Sequence, residues 1–164
     1  RSLLDLSRKH PLELASTDAA KVLRQALSLV KRESGARAEA VKVAIPSGLP
    51  NVMADAETLG QVVVHVVKNA LDAVEGRSHG QVRLTAGTAQ GQVEIRVEDN
   101  GPGISEKDLK QIFEPFFTTK ESGKGAGLGL SVSYAIMQEL RGEIGIKSQV
   151  GRGTVVTLRL PLDA

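Results

Sequence analysis

The sequence has no cysteine and no tryptophan, one tyrosine and three phenylalanines. Without cysteine, disulfides and thiolate metal sites are excluded. No apolar run approaches the length of a membrane-spanning helix, and no signal-peptide pattern opens the chain. A soluble, cytoplasmic piece is expected, whose larger parent can still be anchored in a membrane. Net charge is only +2, too small to point to nucleic acid by itself. There are no internal repeats, low-complexity segments or clear linkers. No GxxxxGK[ST] run occurs, so there is no Walker loop. The glycine-rich run reads GxGxG and follows a phenylalanine-rich loop rather than a strand, which excludes the Rossmann fingerprint.

What is present is a chain of 164 residues, 41% hydrophobic and 24% charged, which suits one domain with a real core. It begins at Arg1, inside a helix-like run and without Met, and so reads as a fragment. Residues 99–130 are the stretch the rest is expected to hold. They open with Asp99-Asn100-Gly101-Pro102-Gly103 after a strand-like run and close with Gly125-Ala126-Gly127-Leu128-Gly129-Leu130 at a helix start. Between lie Phe113, Phe116 and Phe117 and the polar loop of residues 118–124. Glycine lets backbone approach a ligand, and a helix start offers N–H groups to an anion. The pattern suggests a nucleotide between an acidic end and a phosphate end, with the loop as lid.

In chain order, Leu3 and Leu6 share a helical face that Pro11 stops. Leu12-Glu13-Leu14 alternates like a short strand. Ser16, Thr17 or Asp18 can cap a helix with Val22, Leu23, Ala26, Leu29 and Val30 on one face, ended at Gly35. Val41, Val43 and Ile45 alternate as a half-buried strand up to Pro46. Asp55 caps the longest helix, to about Glu75, closed by Gly76. Its apolar stripe is Leu59, Val62, Val63, Val66, Val67, Ala70, Leu71 and Val74. A polar stripe, Gln61, His65, Asn69 and Asp72, runs at steps of four, four and three, so it is either a solvated face or a pocket border. Val82, Leu84 and Ala86, a turn over residues 87–91, and Val93, Ile95 and Val97 predict a hairpin. Ser105 with Asp108 resembles a helix start. A helix is expected from near Leu128, then a strand through Ile144 and Ile146. After Gly151-Arg152-Gly153 comes a last strand with Thr154, Val156, Leu158 and Leu160 on one face. Helices and strands mix without strict βαβ alternation, which suggests α+β: helices on one face of a mostly antiparallel sheet.

Four motifs in this order carry a family resemblance: His65-Val66-Val67-Lys68-Asn69-Ala70-Leu71-Asp72-Ala73, Asp99-Asn100-Gly101-Pro102-Gly103, Phe113-Glu114-Pro115-Phe116-Phe117-Thr118-Thr119-Lys120, and the glycine run from Gly125 to Leu130. They are similar to the N box, first glycine box, phenylalanine motif and second glycine box of the histidine kinase catalytic and ATP-binding domain. That domain belongs to the gyrase, Hsp90, histidine kinase and MutL superfamily. The resemblance covers roughly residues 12–162, and taken jointly the motifs are highly specific. It implies the two-layer Bergerat-type ATP-binding fold: a mostly antiparallel, mixed sheet with helices on one face.

The resemblance also implies roles. Asp99 would accept from the adenine amino group, where guanine presents a carbonyl. Asn69 would give its oxygen to a Mg²⁺ that also takes phosphate oxygens. Gly101 and Gly103 would let backbone come close to the base, and Ala73 and Ile104 are further candidates for the nucleotide site. Thr118, Thr119, Lys120 and Lys124 belong to the lid, the two lysines as candidate charges for the triphosphate or simply as solvated residues. Gly125, Gly127, Leu128, Gly129 and Leu130 would bring N–H groups to the phosphates. Thr154 would reach the adenine edge. Two positions depart from the common pattern. His65 stands where many members carry Asn, and ATPase branches a Glu that activates water. The absence of that Glu argues against hydrolysis, and His65 is either a group near phosphate or a packed histidine. Asp72 stands where many carry Lys, and its expected role is to orient a Mg²⁺-bound water.

The implied activity is transfer of the ATP γ-phosphoryl group to a histidine on a separate dimerising helical hairpin. Residues 1–10 read as the tail of that hairpin and residues 11–164 as the catalytic domain. The parent is expected to be a homodimer that works with a response regulator, without nucleic acid and without membrane contact by this piece. Two alternatives stay open: an anti-sigma-type serine kinase, and a degenerate binding module of the same fold.

Overall fold

The computed structural model describes residues 11–114 and 129–163. The expected helix within residues 2–9 and the loop of residues 115–128 lie outside them. The elements run β1 (Ala15–Thr17), α1 (Ala19–Ser34), a 3₁₀ helix (Gly35–Ala40), β2 (Val41–Ala44), β3 (Val52–Ala54), α2 (Ala56–Val74), β4 (Val82–Ala89), β5 (Gln92–Asp99), α3 (Glu106–Leu109), α4 (Gly129–Glu139), β6 (Glu143–Gln149) and β7 (Gly153–Pro161).

The helix starts are set by side-chain caps. Asp18 Oδ1 accepts from the Lys21 amide at 3.1 Å, and Asp55 Oδ1 from the Thr58 amide at 3.0 Å. The second oxygen of Asp55 accepts from the Glu13 amide at 2.9 Å, which ties the segment before β1 to the start of α2. All eight residues of the expected α2 stripe are buried.

Strands β2-β4-β5-β7-β6 form one sheet. Only the β2–β4 pair is parallel; the other pairs are antiparallel. Val82, Leu84, Val93, Ile95, Val97, Leu158 and Leu160 point from the sheet into one core with Leu23 and Val30 of α1, the α2 stripe, and Ile136 and Met137 of α4. The alternate positions Arg83 and Arg96 are exposed. This is the sheet with one covered and one solvated face, and the α+β two-layer architecture is the expected one.

Three local expectations are corrected. The first strand is Ala15–Thr17, not residues 12–14, and it pairs with β3, which the sequence did not announce. Leu12 and Leu14 instead pack against the core. The β4–β5 turn is the two residues Gln90 and Gly91 alone, both at positive φ (53° and 75°), and the strands continue through Gly87. On β2, one of the sheet's two edge strands, Val43 is exposed (48%) while Val41 is partly buried, so the two do not share one buried face.

Candidate functional site

The site begins where the core ends. Val93, Ile95 and Val97 of β5 point toward the helices at every second residue, and Asp99 is the next position in that series. On the neighbouring strand the series Leu160, Leu158, Val156 ends at Thr154, which is 9% exposed. Asp99 and Thr154 are register partners across β5 and β7. Two polar side chains thus sit together at the end of an apolar layer.

Burial raises the Asp99 carboxyl above its usual pKa. The main-chain amides of Gly101 and Thr154, and the charge of Arg77, oppose that shift. The Gly101 amide donates to Asp99 Oδ1 at 2.9 Å. Asn100 turns the other way: its Oδ1 accepts from the Gln81 amide and its Nδ2 donates to the His79 carbonyl, both at 2.7 Å. Asn100 therefore fastens the loop to the chain entering β4, while Asp99 turns toward the helix side of the sheet.

The two loop glycines serve close protein contacts. A Cβ on Gly101 would stand 2.7 Å from the Ala73 carbonyl oxygen and 2.9 Å from Ala73 Cβ on α2. Gly103, at φ +79°, has no room for a side chain against Gln149, the last residue of β6, and Val150 of the turn that follows. The Ile104 amide donates to Ser148 Oγ at 2.7 Å, and Ser148 Oγ lies 2.7 Å from Thr154 Oγ1. The Asp99 loop is thereby clamped between α2 and the β6–β7 turn. Ser148 belongs to this cluster, and sequence reading missed it. A serine at the end of a strand carries no signal until its register partner is known.

Ala73, Asp99, Gly101, Gly103, Ile104 and Thr154 are thus brought together. Asn69 is half-buried one turn before Ala73 on α2. Asp72 is bound by Arg37 of the 3₁₀ helix, Nη2 to Oδ1 at 2.6 Å. This pairing holds the guanidinium's pKa above its ordinary value. Gln61 and His65 are exposed and line a groove of about 360 Å³ between α1 and α2, away from the Asp99 cluster. The polar stripe of α2 is therefore divided: Gln61 and His65 line that groove, while Asp72 pairs with the 3₁₀ helix. Phe113 packs against the ring of Tyr134 on α4, centroids 5.0 Å apart. Gly129 and Leu130 open α4. Phe116, Phe117, Thr118, Thr119, Lys120, Lys124, Gly125, Gly127 and Leu128 lie outside the described residues. Among the described residues there is no cluster of three or more His, Asp or Glu able to enclose a metal. One amide oxygen at Asn69 suits a cation that takes its other ligands from phosphate and water.

Residues 54–164 match the family described as histidine kinase-, DNA gyrase B- and HSP90-like ATPase. The sensor histidine kinase ZraS of Escherichia coli K12 is 35% identical over 161 residues, covering 98% of this chain and 34% of that protein. The structure of full-length ShkA in complex with AMPPNP superposes with a TM-score of 0.75 at 30% identity, over 97% of this chain and 33% of the other. Histidine kinase ThkA, solved with the response regulator protein TrrA, superposes at 0.76 and 25% identity, over 98% and 45%. The chain belongs to the histidine kinase-, DNA gyrase B- and HSP90-like ATPase family, as an ATP-binding catalytic domain of the histidine kinase kind. It spans about a third of the length of ZraS and ShkA.

Proposed function

We propose that the chain binds Mg·ATP and delivers the γ-phosphoryl group to a histidine on a dimerising helical hairpin of the same parent protein. Residues 1–10 would be the hairpin's tail and residues 11–164 the catalytic domain. The observation that carries the reading is Asp99: a half-buried acid, gripped by the Gly101 amide, at the end of the core and beside α2. Ionised, it only accepts hydrogen bonds, so it suits the adenine amino group and leaves a guanine carbonyl unpaired.

Asn69 Oδ1 would hold Mg²⁺, which supplies charge neutralisation on the phosphates. Asp72 would orient water on that ion, with Arg37 offsetting its charge beside the phosphates. Gly125, Gly127 and Gly129 would bring main-chain amides to the phosphates, and Lys120 and Lys124 would close over them. The work is positioning and electrostatics rather than covalent chemistry. The ThkA complex with the response regulator protein TrrA supports a response regulator as partner. The parent would act as a homodimer.

Incubation with γ-labelled ATP tests the reading. The chain alone is expected to bind nucleotide, with a rise in melting temperature, and to stay unlabelled. Added hairpin domain is expected to take an acid-labile phosphate. Strong self-labelling of the chain alone would contradict the proposal, and an acid-stable label would assign a serine acceptor instead.

A further inference from the structure

Ser148 stands opposite Thr154 in the β6–β7 register. Three groups meet its hydroxyl oxygen: the Ile104 amide at 2.7 Å, the Gly153 carbonyl oxygen at 2.9 Å and Thr154 Oγ1 at 2.7 Å. A hydroxyl has one proton to give and two lone pairs to receive with. The Ile104 amide can only donate, and the Gly153 carbonyl can only accept. All three contacts are hydrogen bonds at once in one arrangement: Ser148 gives its proton to Gly153, takes the Ile104 proton on one lone pair, and takes the Thr154 proton on the other.

Thr154 is left with its donor spent. Toward anything else its oxygen only accepts. Its register partner Asp99, once ionised, is an acceptor too. Two acceptors thus stand side by side at the end of the core.

We propose that Ser148 is a specificity-determining positioning residue. By holding the proton of Thr154 it turns the base end of the site into an all-acceptor surface, which takes a purine with an exocyclic amine and rejects one with a carbonyl there. A threonine free to rotate would serve either base, since its hydroxyl can donate or accept. The inference rests on the reading of Asp99 as the base-recognising acid.

The test titrates Mg·ATP and Mg·ITP, whose bases carry an amine and a carbonyl at the same position, into the wild type, Ser148→Ala, Thr154→Val and the double variant. Wild type is expected to prefer ATP. Ser148→Ala is expected to shrink the ATP:ITP affinity ratio by about three- to tenfold, the worth of one hydrogen bond. In the Thr154→Val background the same substitution is expected to leave the ratio unchanged. Equal weakening toward both nucleotides, or a ratio change that persists in the double variant, would reduce Ser148 to a loop fastener and overturn the inference. Should Ser148→Ala not fold, Ser148→Cys replaces it. Its thiol is a weak acceptor, and a smaller shift in the same direction is expected; no shift overturns the inference. Asp99→Asn separates the two levels. If wild type binds ATP and Asp99→Asn does not, an unmoved ratio in the Ser148 variant rejects the Ser148 role alone. If wild type binds no adenine nucleotide, the Asp99 reading fails and takes this inference with it.

Discussion

The carboxylate of Asp99 is held by the amide of Gly101, 2.9 Å away, and Gly101 is also where the loop meets Ala73 of α2. Helix packing and orientation of the acid are one contact. A methyl group at Gly101 would stand 2.7 Å from the Ala73 carbonyl oxygen and drive the loop off the helix. Gly101→Ala is expected to lose about 1–3 kcal/mol of stability through overpacking. It is also expected to weaken ATP by about tenfold as the acid loses its donor. Urea denaturation and calorimetric titration measure the two effects.

Asp99 has a pH signature. Its folded pKa lies above the unfolded value because burial disfavours the charged form. In the window between the two values the folded state holds more protons than the unfolded one. The stability contribution is therefore full below the ordinary carboxylate value and is lost as pH rises through the raised one. Compared with Asp99→Asn, the nucleotide-free wild type is expected to lose relative stability from acid toward neutral pH. ATP affinity is expected to run the other way, rising as the carboxylate ionises, and to be lost in the Asn variant. Denaturation and binding series across pH check both signs.

Asn100 offers the contrast to its neighbour. Its side chain makes two hydrogen bonds at 2.7 Å to the segment before β4, in a place water can reach. Asn100→Ala is expected to cost about 0.5–1.5 kcal/mol for each lost bond. ATP affinity is expected to fall far less than in Asp99→Asn. Equal losses of affinity in the two variants would contradict the division of labour drawn here.

Removal of Mg²⁺ by EDTA is expected to weaken ATP in wild type. In Asn69→Ala, affinity for Mg·ATP is expected to fall by about ten- to a hundredfold, the range for residues that support a metal. Affinity for metal-free ATP is expected to stay the same. Titrations with and without the metal separate this outcome from a general loss of binding.

The Arg37–Asp72 pair is short but open to solvent, with side chains 43% and 35% exposed. Arg37→Ala is expected to change stability by less than about 1 kcal/mol. Thermal denaturation at low and high salt checks this; a larger, salt-independent loss would mean the pair is structural.

Much of the layout was legible in the residues. The α2 stripe from Leu59 to Val74 and the alternation through Val93, Ile95 and Val97 are local periodicities. A chain segment carries them whatever it packs against. The same alternation places Asp99 on the helix side. The β1–β3 pair was not legible, because three-residue strands show no periodicity and each is defined by a partner far along the chain. In the sequence, the glycines at 101 and 103 suggest room for a base. Their immediate neighbours are Ala73 and the β6–β7 turn, since close approach looks the same in sequence whichever surface approaches.

By itself the sequence determined the cap of the long helix at Asp55 and the buried faces, because these depend on neighbours three or four residues away, and it carried the run of four motifs. The tertiary structure decided which hydroxyl meets which. Ser148 met Thr154, Arg37 met Asp72, and His65 went to the α1 groove rather than to the acid. Those meetings follow from strand register and helix rotation, which are settled only when the whole core closes.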